Sequence, residues 1–498
     1  MTSVTRLFRR RILVSTFATV LAMAMPLTAC GGGASGGGSG GGAPVTPPAP
    51  TPTSLTVKVW ETTGDRSKLL APQADLTMAG GTATGTVISV DPSQTFQSIT
   101  GFGASITDAS AYLIQQKMTA SQRDALMRDL FGDTGLGFSF TRLTVGASDF
   151  SSAHYSYDDL PAGATDPTLA HFSIAPARTD VIPTVKQALA LNARLTVMAS
   201  PWSAPGWMKT SDSLITGSLK PAAYPYFADY LVRYVKDMGT EGVPITMLTL
   251  QNEPGFEPGD YPGMRVDPAS RAAFIGGHLG PKLAASGQTV KILDYDHNWD
   301  LASSPLAVLG DATANPYVAG VAWHCYGGDV SAQSTVHNAY PTKETYFTEC
   351  SGGEWASAFN ENFAWTLKTL IVNSTRNWSK GVLMWNLALD ENHGPHKGGC
   401  GNCRGVVTIN STTGEVTRNL EYYAFGHASK FVKTGAVRIA SDSAGGIDTV
   451  AFKNPDGTIA LIAVNGGNTA RNFAVSSASR TFSYSLPAWS GATFVWTQ

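Results

Sequence analysis

The sequence predicts an α/β protein: a (β/α)8 TIM barrel with a β-sandwich side domain built from strands at both ends of the chain. Three observations lead there. Across the middle of the chain, eight apolar segments alternate with stretches of helical periodicity. Two of those segments, Ile245–Glu253 and Glu344–Cys350, carry a glutamate at their far end. Short runs of alternating apolar and polar residues precede and follow the alternation. A parallel barrel gathers the C-terminal ends of its strands at one mouth, so it would bring two glutamates distant in sequence over the same opening.

In chain order, residues 1–30 read as a leader rather than as fold. Arg6, Arg9, Arg10 and Arg11 precede an apolar stretch, Ile12–Met25, too short for a comfortable membrane span. It ends Leu27-Thr28-Ala29-Cys30, which resembles a bacterial lipobox, so Cys30 is expected to be lipidated and the protein exported and tethered, the alternatives being an uncleaved anchor or an ordinary secreted protein. Residues 31–53, rich in Gly and Ser and then in Pro and Thr, form a linker. Residues 54–96 hold the first sandwich strands, with period-two runs at Leu55–Thr62 and Gly85–Val90. Residues 97–430 form the barrel. Its strands are expected near Ser98–Ser105, Phe138–Val145, Arg194–Ser200, Ile245–Glu253, Val290–Asp294, Val318–Tyr326, Glu344–Cys350 and Gly381–Leu387. Helical spacing between them is clearest at Ser121–Phe131 and at Pro225–Met238, where Tyr226, Phe227, Tyr230, Leu231 and Tyr234 recur. Residues 431–498 return to short strands punctuated by Asn454-Pro455-Asp456-Gly457 and complete the sandwich.

The composition narrows the partners. A net charge of -2 and only 14% charged residues supply no basic field for nucleic acid, and membrane contact is expected only through the leader. Aromatics at 10%, with 11 Trp, suit a cleft whose walls stack against sugar rings. Of the five cysteines, Cys30 belongs to the leader; Cys325, Cys350, Cys400 and Cys403 remain, an even number in an exported chain. The loop His393–Cys403 carries two His and two Cys, which admits zinc, a Cys400–Cys403 disulfide or disulfides to other cysteines. In an oxidising compartment the disulfide is the expected state, and no metal is expected. Cys325 and Cys350 either bridge or remain buried thiols. The same loop follows the eighth strand, so His393 and His396 are candidates to touch whatever fills the mouth.

Two carboxylates facing one another can serve as acid and nucleophile on a glycosidic bond. At this point ordered blocks become recognisable: Gly101–Ser110, Thr141-Arg142-Leu143, Ser148-Asp149-Phe150, Ala199–Lys209, Gln251-Asn252-Glu253-Pro254, Trp323-His324-Cys325-Tyr326, Thr348-Glu349-Cys350, Met384–Leu389 and Gly426–Phe431. Together they resemble glycoside hydrolase family 30, the retaining β-glycosidases that include glucosylceramidases and β-1,6-glucanases. The resemblance implies Glu253 as general acid/base and Glu349 as nucleophile. It implies Asp108 as the holder of distal glucose hydroxyls, with Asn252, Trp202, His324, Tyr326 and Trp385 as substrate contacts. Arg142 would support Glu349 from beneath, and Tyr326 would hydrogen-bond it. A helix N-cap is the structural alternative for Asp108, and packing the alternative for Trp207; Asp149, Asp294, Asp296 and Asn298 remain contacts without a catalytic role.

The expected activity is therefore retaining hydrolysis of β-linked glucosides, with an endo-β-1,6-glucanase favoured and a glucosylceramidase as the alternative. Outside catalysis, the alternative is a carbohydrate-binding surface lipoprotein on a decayed barrel, but both glutamates are present. The substrate is a β-glucan or β-glucoside, and the chemistry implies no cofactor. Two further expectations follow: a carboxyl separation of roughly 5–5.5 Å, and a Glu253 pKa raised by burial and by the charge of Glu349.

Overall fold

The structure, a computed structural model, describes residues 54–497. The expected leader with Cys30 and the linker fall outside the described residues. Eight strands close into a parallel barrel: β1 (Gly101–Ser105), β2 (Phe140–Val145), β3 (Thr196–Pro201), β4 (Met247–Thr249), β5 (Lys291–Trp299), β6 (Val318–Gly328), β7 (Glu344–Glu349) and β8 (Ser379–Asn386), with β8 pairing back onto β1. Phe140, Met198, Met247, Leu293, Ala322, Tyr346 and Leu383, one from each of β2 to β8, fill the interior. Gly381 makes that layer fit, because a Cβ there would stand 2.7 Å from the Phe140 ring.

The helices follow the apolar spacing read in the sequence. Tyr224–Thr240 buries Phe227, Tyr230, Leu231, Tyr234 and Met238 along one face. Ala120–Phe131 starts at a capping box in which Thr119 and Gln122 satisfy each other's backbone N–H.

The sandwich is interleaved from both ends of the chain. Leu55–Thr62 lies antiparallel to Ser490–Thr497, with Trp60 opposite Thr493. Val87–Ser98 pairs antiparallel with Val437–Ser441 and parallel with Arg471–Ser477. Its core joins Val57, Val59, Ile88 and Val90 to Ile439, Leu461, Phe494 and Trp496. A second cluster runs unbroken from the barrel helices to Val450, Phe452 and Ile462, so the sandwich closes over the barrel flank without an intervening linker.

Two strand extents differ from the sequence reading, and both differences shape the mouth. The segment expected as a strand to Glu253 stops at Thr249; Glu253 takes a φ of 47°, and its N–H donates to the Asp296 carbonyl. A strand cannot continue through that left-handed turn. The segment expected to end at Asp294 continues to Trp299. Its pairing with β6 passes from Tyr295 opposite Ala322 to His297 opposite Trp323, leaving Asp296 as the extra residue of a bulge.

Candidate active site

Glu349 is the last residue of β7, and a register shift in β6 sets it directly opposite His324. Arg142, in the middle of β2 and fully buried, donates Nη1 to Glu349 Oε2 at 2.6 Å. The Tyr326 hydroxyl donates to Glu349 Oε1 at 3.0 Å. Both nucleophile-type oxygens are thus aimed and held by donors, one of them charged.

Glu253 stands across the mouth, on the turn after β4. His324 Nδ1 lies 2.9 Å from Glu253 Oε1 and 3.9 Å from Glu349 Oε1. One imidazole nitrogen therefore reaches toward both carboxylates, whose facing oxygens are at most the sum of those distances apart. That limit, about 7 Å, admits the retaining spacing of roughly 5–5.5 Å and leaves out most of the inverting range of roughly 6.5–9.5 Å.

Beneath them lies Asp296, completely buried. Its Oδ2 accepts from Arg142 Nη2 (2.8 Å), Ser200 Oγ (2.8 Å) and Thr249 Oγ1 (2.9 Å). Its Oδ1 accepts from His324 Nε2 (3.0 Å) and Thr348 Oγ1 (2.7 Å). Arg142 Nη2 also donates to Asn252 Oδ1 at 2.6 Å, which fixes the amide beside Glu253. The guanidinium lies 4.7 Å from the Trp202 ring and 5.5 Å from Trp385, and those two indoles stack at 4.9 Å. The cleft above has a volume of about 400 Å³ and is lined by Asp149, Trp202, Asn252, Glu253, Phe256, Tyr261, Tyr326, Glu349, Ser351, Trp355 and Trp385, together with Gly399, Cys400 and Cys403.

Residues 99–432 match the glycosyl hydrolase family 30 TIM-barrel domain, and residues 435–494 match the family's beta sandwich domain. The chain belongs to glycoside hydrolase family 30. An endo-1,6-beta-D-glucanase of Trichoderma harzianum is 35% identical over 426 residues, covering 80% of this chain and 84% of that protein. The lysosomal acid glucosylceramidase of Mus musculus is 28% identical over 451 residues, covering 84% of this chain and 85% of that protein. Among solved structures, the endo-beta1,6-glucanase BT3312 superposes with a TM-score of 0.81 at 33% identity, over 89% of this chain and 99% of its own. The protein is therefore a retaining glycoside hydrolase, and its barrel-and-sandwich fold is that of the family.

The charges of this family 30 site are arranged differently from the sequence expectation. Burial alone would lift the Glu253 carboxyl, but the His324 N–H and the charges of His324, His297 and Arg142 bring it below its ordinary value. Burial lifts Glu349, and the Glu253 charge adds to that, against the pull of His324 and Arg142. Burial opposes a charged His324, yet Glu349, Asp296 and Glu253 outweigh it and push the imidazole up to about 9. Asp296 is held well below the carboxylate range: burial is overcome by Arg142, His324 and Thr348. The expected rise at Glu253 is thus reversed, because His324 carries the proton beside it.

Asp108 requires a correction. It is neither in the cleft nor an N-cap: Thr107 caps the helix Asp108–Tyr112, and the Asp108 carboxylate accepts from Ser151 Oγ (2.6 Å) and Tyr155 OH (2.9 Å). It borders a separate depression with Tyr112, Tyr155 and Asp180. Asp149, which the sequence reading left without a catalytic role, lines the cleft instead. Its Oδ1 is buried with no hydrogen-bond partner among the described residues, and burial with the charges of Glu349 and Glu253 pushes its carboxyl up to about 8. The sequence signal is Ser148-Asp149-Phe150, a carboxylate between a serine and a core aromatic in the turn after β2. Asp296, expected only as a contact, sits on a bulge that turns its carboxylate beneath the site onto Arg142.

Cys400 and Cys403 form a disulfide, and so do Cys325 and Cys350. Neither His393 nor His396 lines the cleft. His393 Nδ1 lies 3.0 Å from the Cys403 carbonyl, and His396 Nδ1 lies 3.0 Å from that of Gly398, so both brace the loop itself. Gly399, at a φ of 67°, brings that loop against Asp149, where a Cβ would stand 2.5 Å from the Asp149 Cβ. Trp207 packs: its Nε1 donates to Asp158 at 2.9 Å.

Proposed function

We propose that the protein is an endo-β-1,6-glucanase in which Glu349 is the nucleophile and Glu253 the acid/base. The observation that carries the roles is the unequal environment of the two carboxylates. Glu349 receives Arg142 on one oxygen and Tyr326 on the other, two donors that aim both oxygens and offset part of the lift that burial and the Glu253 charge give its carboxyl. Glu253 shares its neighbouring proton with His324. In the first step a Glu349 oxygen bonds the anomeric carbon while the C–O bond to the leaving sugar breaks and Glu253 protonates that oxygen. In the second, water replaces Glu349, giving its proton to Glu253. A sugar filling the cleft excludes water and favours the neutral Glu253–His324 pair over the ion pair, which moves the proton onto the carboxyl. Asn252, fixed by Arg142, is set to hydrogen-bond a hydroxyl beside the reacting carbon, and Asp149 to receive hydroxyls farther round the ring.

The substrate assignment rests on the fungal endo-1,6-beta-glucanases at 34–35% identity against 28% for the mouse glucosylceramidase. Product analysis on β-1,6-glucan, glucosylceramide and glucuronoxylan side by side tests it. Internal cleavage of β-1,6-glucan with a β-configured first product is expected; turnover of glucosylceramide alone overturns it.

The leader supports a tethered form acylated at Cys30, exported to the cell envelope. Cys30→Ser should release the protein from membranes at unchanged specific activity. Retention after that change would assign anchoring to the apolar leader.

A further inference from the structure

The described residues hold two tryptophans with strongly exposed side chains, Trp355 at 56% and Trp365 at 45%. Both lie in the connection after β7, and Trp355 lines the cleft itself. Exposed indoles that border a groove, rather than standing singly, point to a binding surface. Trp355 is seated: a Cβ on Gly353 would lie 1.9 Å from its six-membered ring, so the indole rests against the glycine while more than half of the residue stays open. Gly353 is itself pinned by pairing with Cys403.

The two rings border consecutive depressions. Trp355, Tyr326 and Ser351 line both the catalytic cleft and a neighbouring hollow of about 380 Å³. Trp365 and Asn362 line that hollow and also a third, of about 680 Å³, at the seam with the sandwich. There Lys368 pairs with Asp448 at 2.8 Å across the seam, near Trp489. The geometry points to a carbohydrate-binding path that leaves the cleaving subsite over Trp355, crosses Trp365 and reaches the barrel–sandwich seam. Its occupant is the glucan chain beyond the bond being cut, with apolar ring faces stacked on the indoles and hydroxyls met by Asn362 and the ion pair. A lipid tail would cover the rings but leave Asn362 and the ion pair without hydroxyl partners, and an isolated headgroup would not span both rings. This inference rests on the polysaccharide reading of the site.

The test uses the full chain. Hydrolysis of β-1,6-glucan by the unmodified enzyme comes first, and its absence overturns the substrate reading itself. In the Glu349→Ala background, binding of a linear β-1,6-linked disaccharide and hexasaccharide is then titrated with and without Trp365→Ala. Hexasaccharide affinity should fall about tenfold and disaccharide affinity by less than about twofold. Trp365→Phe should recover most of the loss, whereas Trp365→Leu, which keeps apolar volume without a ring face, should not. Equal losses on both ligands, no loss on the hexasaccharide, or full recovery by Leu would overturn the path.

Discussion

The floor and the rim of the cleft share one barrel mouth but are held by different forces. On the floor, Arg142, Asp296, His324 and Glu349 sit on β2, β5, β6 and β7, and ion pairs link them in a chain from Glu349 through Arg142 and Asp296 to His324. Charges this deeply buried persist only as a closed set, and deleting one partner of such a pair costs roughly 3–5 kcal/mol. The rim is loop. Two disulfides, the Gly352-Gly353 pairing with Cys403-Arg404, and the Arg404–Glu421 ion pair hold it. It presents open rings, Trp355 and Phe256 among them, rather than matched charges. A floor built on strands fixes the reaction, while a rim built on loops can change what reaches it.

If that division is right, floor substitutions should act on every substrate and rim substitutions only on long ones. The largest effect should come from Glu349→Ala, with turnover down by roughly 10⁴-fold or more on glucan and aryl glucoside alike. Added azide should restore part of it with an inverted glycosyl azide product. A folded variant that no small anion rescues would remove Glu349 from the nucleophile role. Glu253→Gln comes next. Hydrolysis of poor leaving groups should drop by roughly 10²–10⁴-fold, and that of activated aryl glucosides far less in the first step. Equal losses on both would place Glu253 outside the acid role.

Much of the floor was legible because its chemistry is bound to strand ends. Glu253 and Glu349 close apolar runs, and Arg142 interrupts one, so burial of a charge announced itself. Alternation before and after the barrel likewise disclosed a sandwich assembled from both termini. Asp108 misled because it too follows a strand; only the path of the next turn shows that Ser151 and Tyr155 claim its carboxylate and that Asp149 swings inward. Asp296 was hidden by a bulge, which adds a residue without changing the pattern of residue types. The proton arrangement was illegible for a related reason. It depends on a His324 that touches three carboxylates drawn from three other strands or turns, and no local pattern encodes that.

His324→Gln probes that arrangement with an intermediate effect, about 10- to 100-fold in kcat/KM. In the unmodified enzyme the proton of the Glu253–His324 pair should be lost only as pH nears about 9. Without the imidazole, the alkaline limb of kcat/KM should move down from about 9 to the pKa of Glu253 alone, which then loses the lowering by His324 and keeps the lift from burial. The sign for stability agrees. A His raised in the folded state stabilises fully below its ordinary value near 6.5 and loses that contribution as pH rises through about 9. Thermal midpoints of the unmodified protein should therefore decline more steeply across that window than those of the variant. Parallel declines, or an unmoved alkaline limb, would assign the proton elsewhere.

The smallest effect should come from opening the rim with Cys400→Ser and Cys403→Ser together. This bridge spans a sequence separation of 3, against 25 for Cys325–Cys350, so it removes little chain entropy and its loss should move the thermal midpoint least. What it does hold is position. Cys403 pairs with Gly353 under Trp355, and the adjoining Gly399 rests against Asp149. Freed ends should let the loop and the Trp355 platform drift from the cleft edge. KM for glucan should then rise about three- to fivefold, with kcat on an aryl glucoside nearly unchanged, since loss of pre-organisation weakens binding more than chemistry. Kinetics on both substrates, with and without reductant, measure the split. A matching fall of kcat on the aryl glucoside would show that the loop positions the floor as well, and the division between the two layers would fail at Asp149, where they touch.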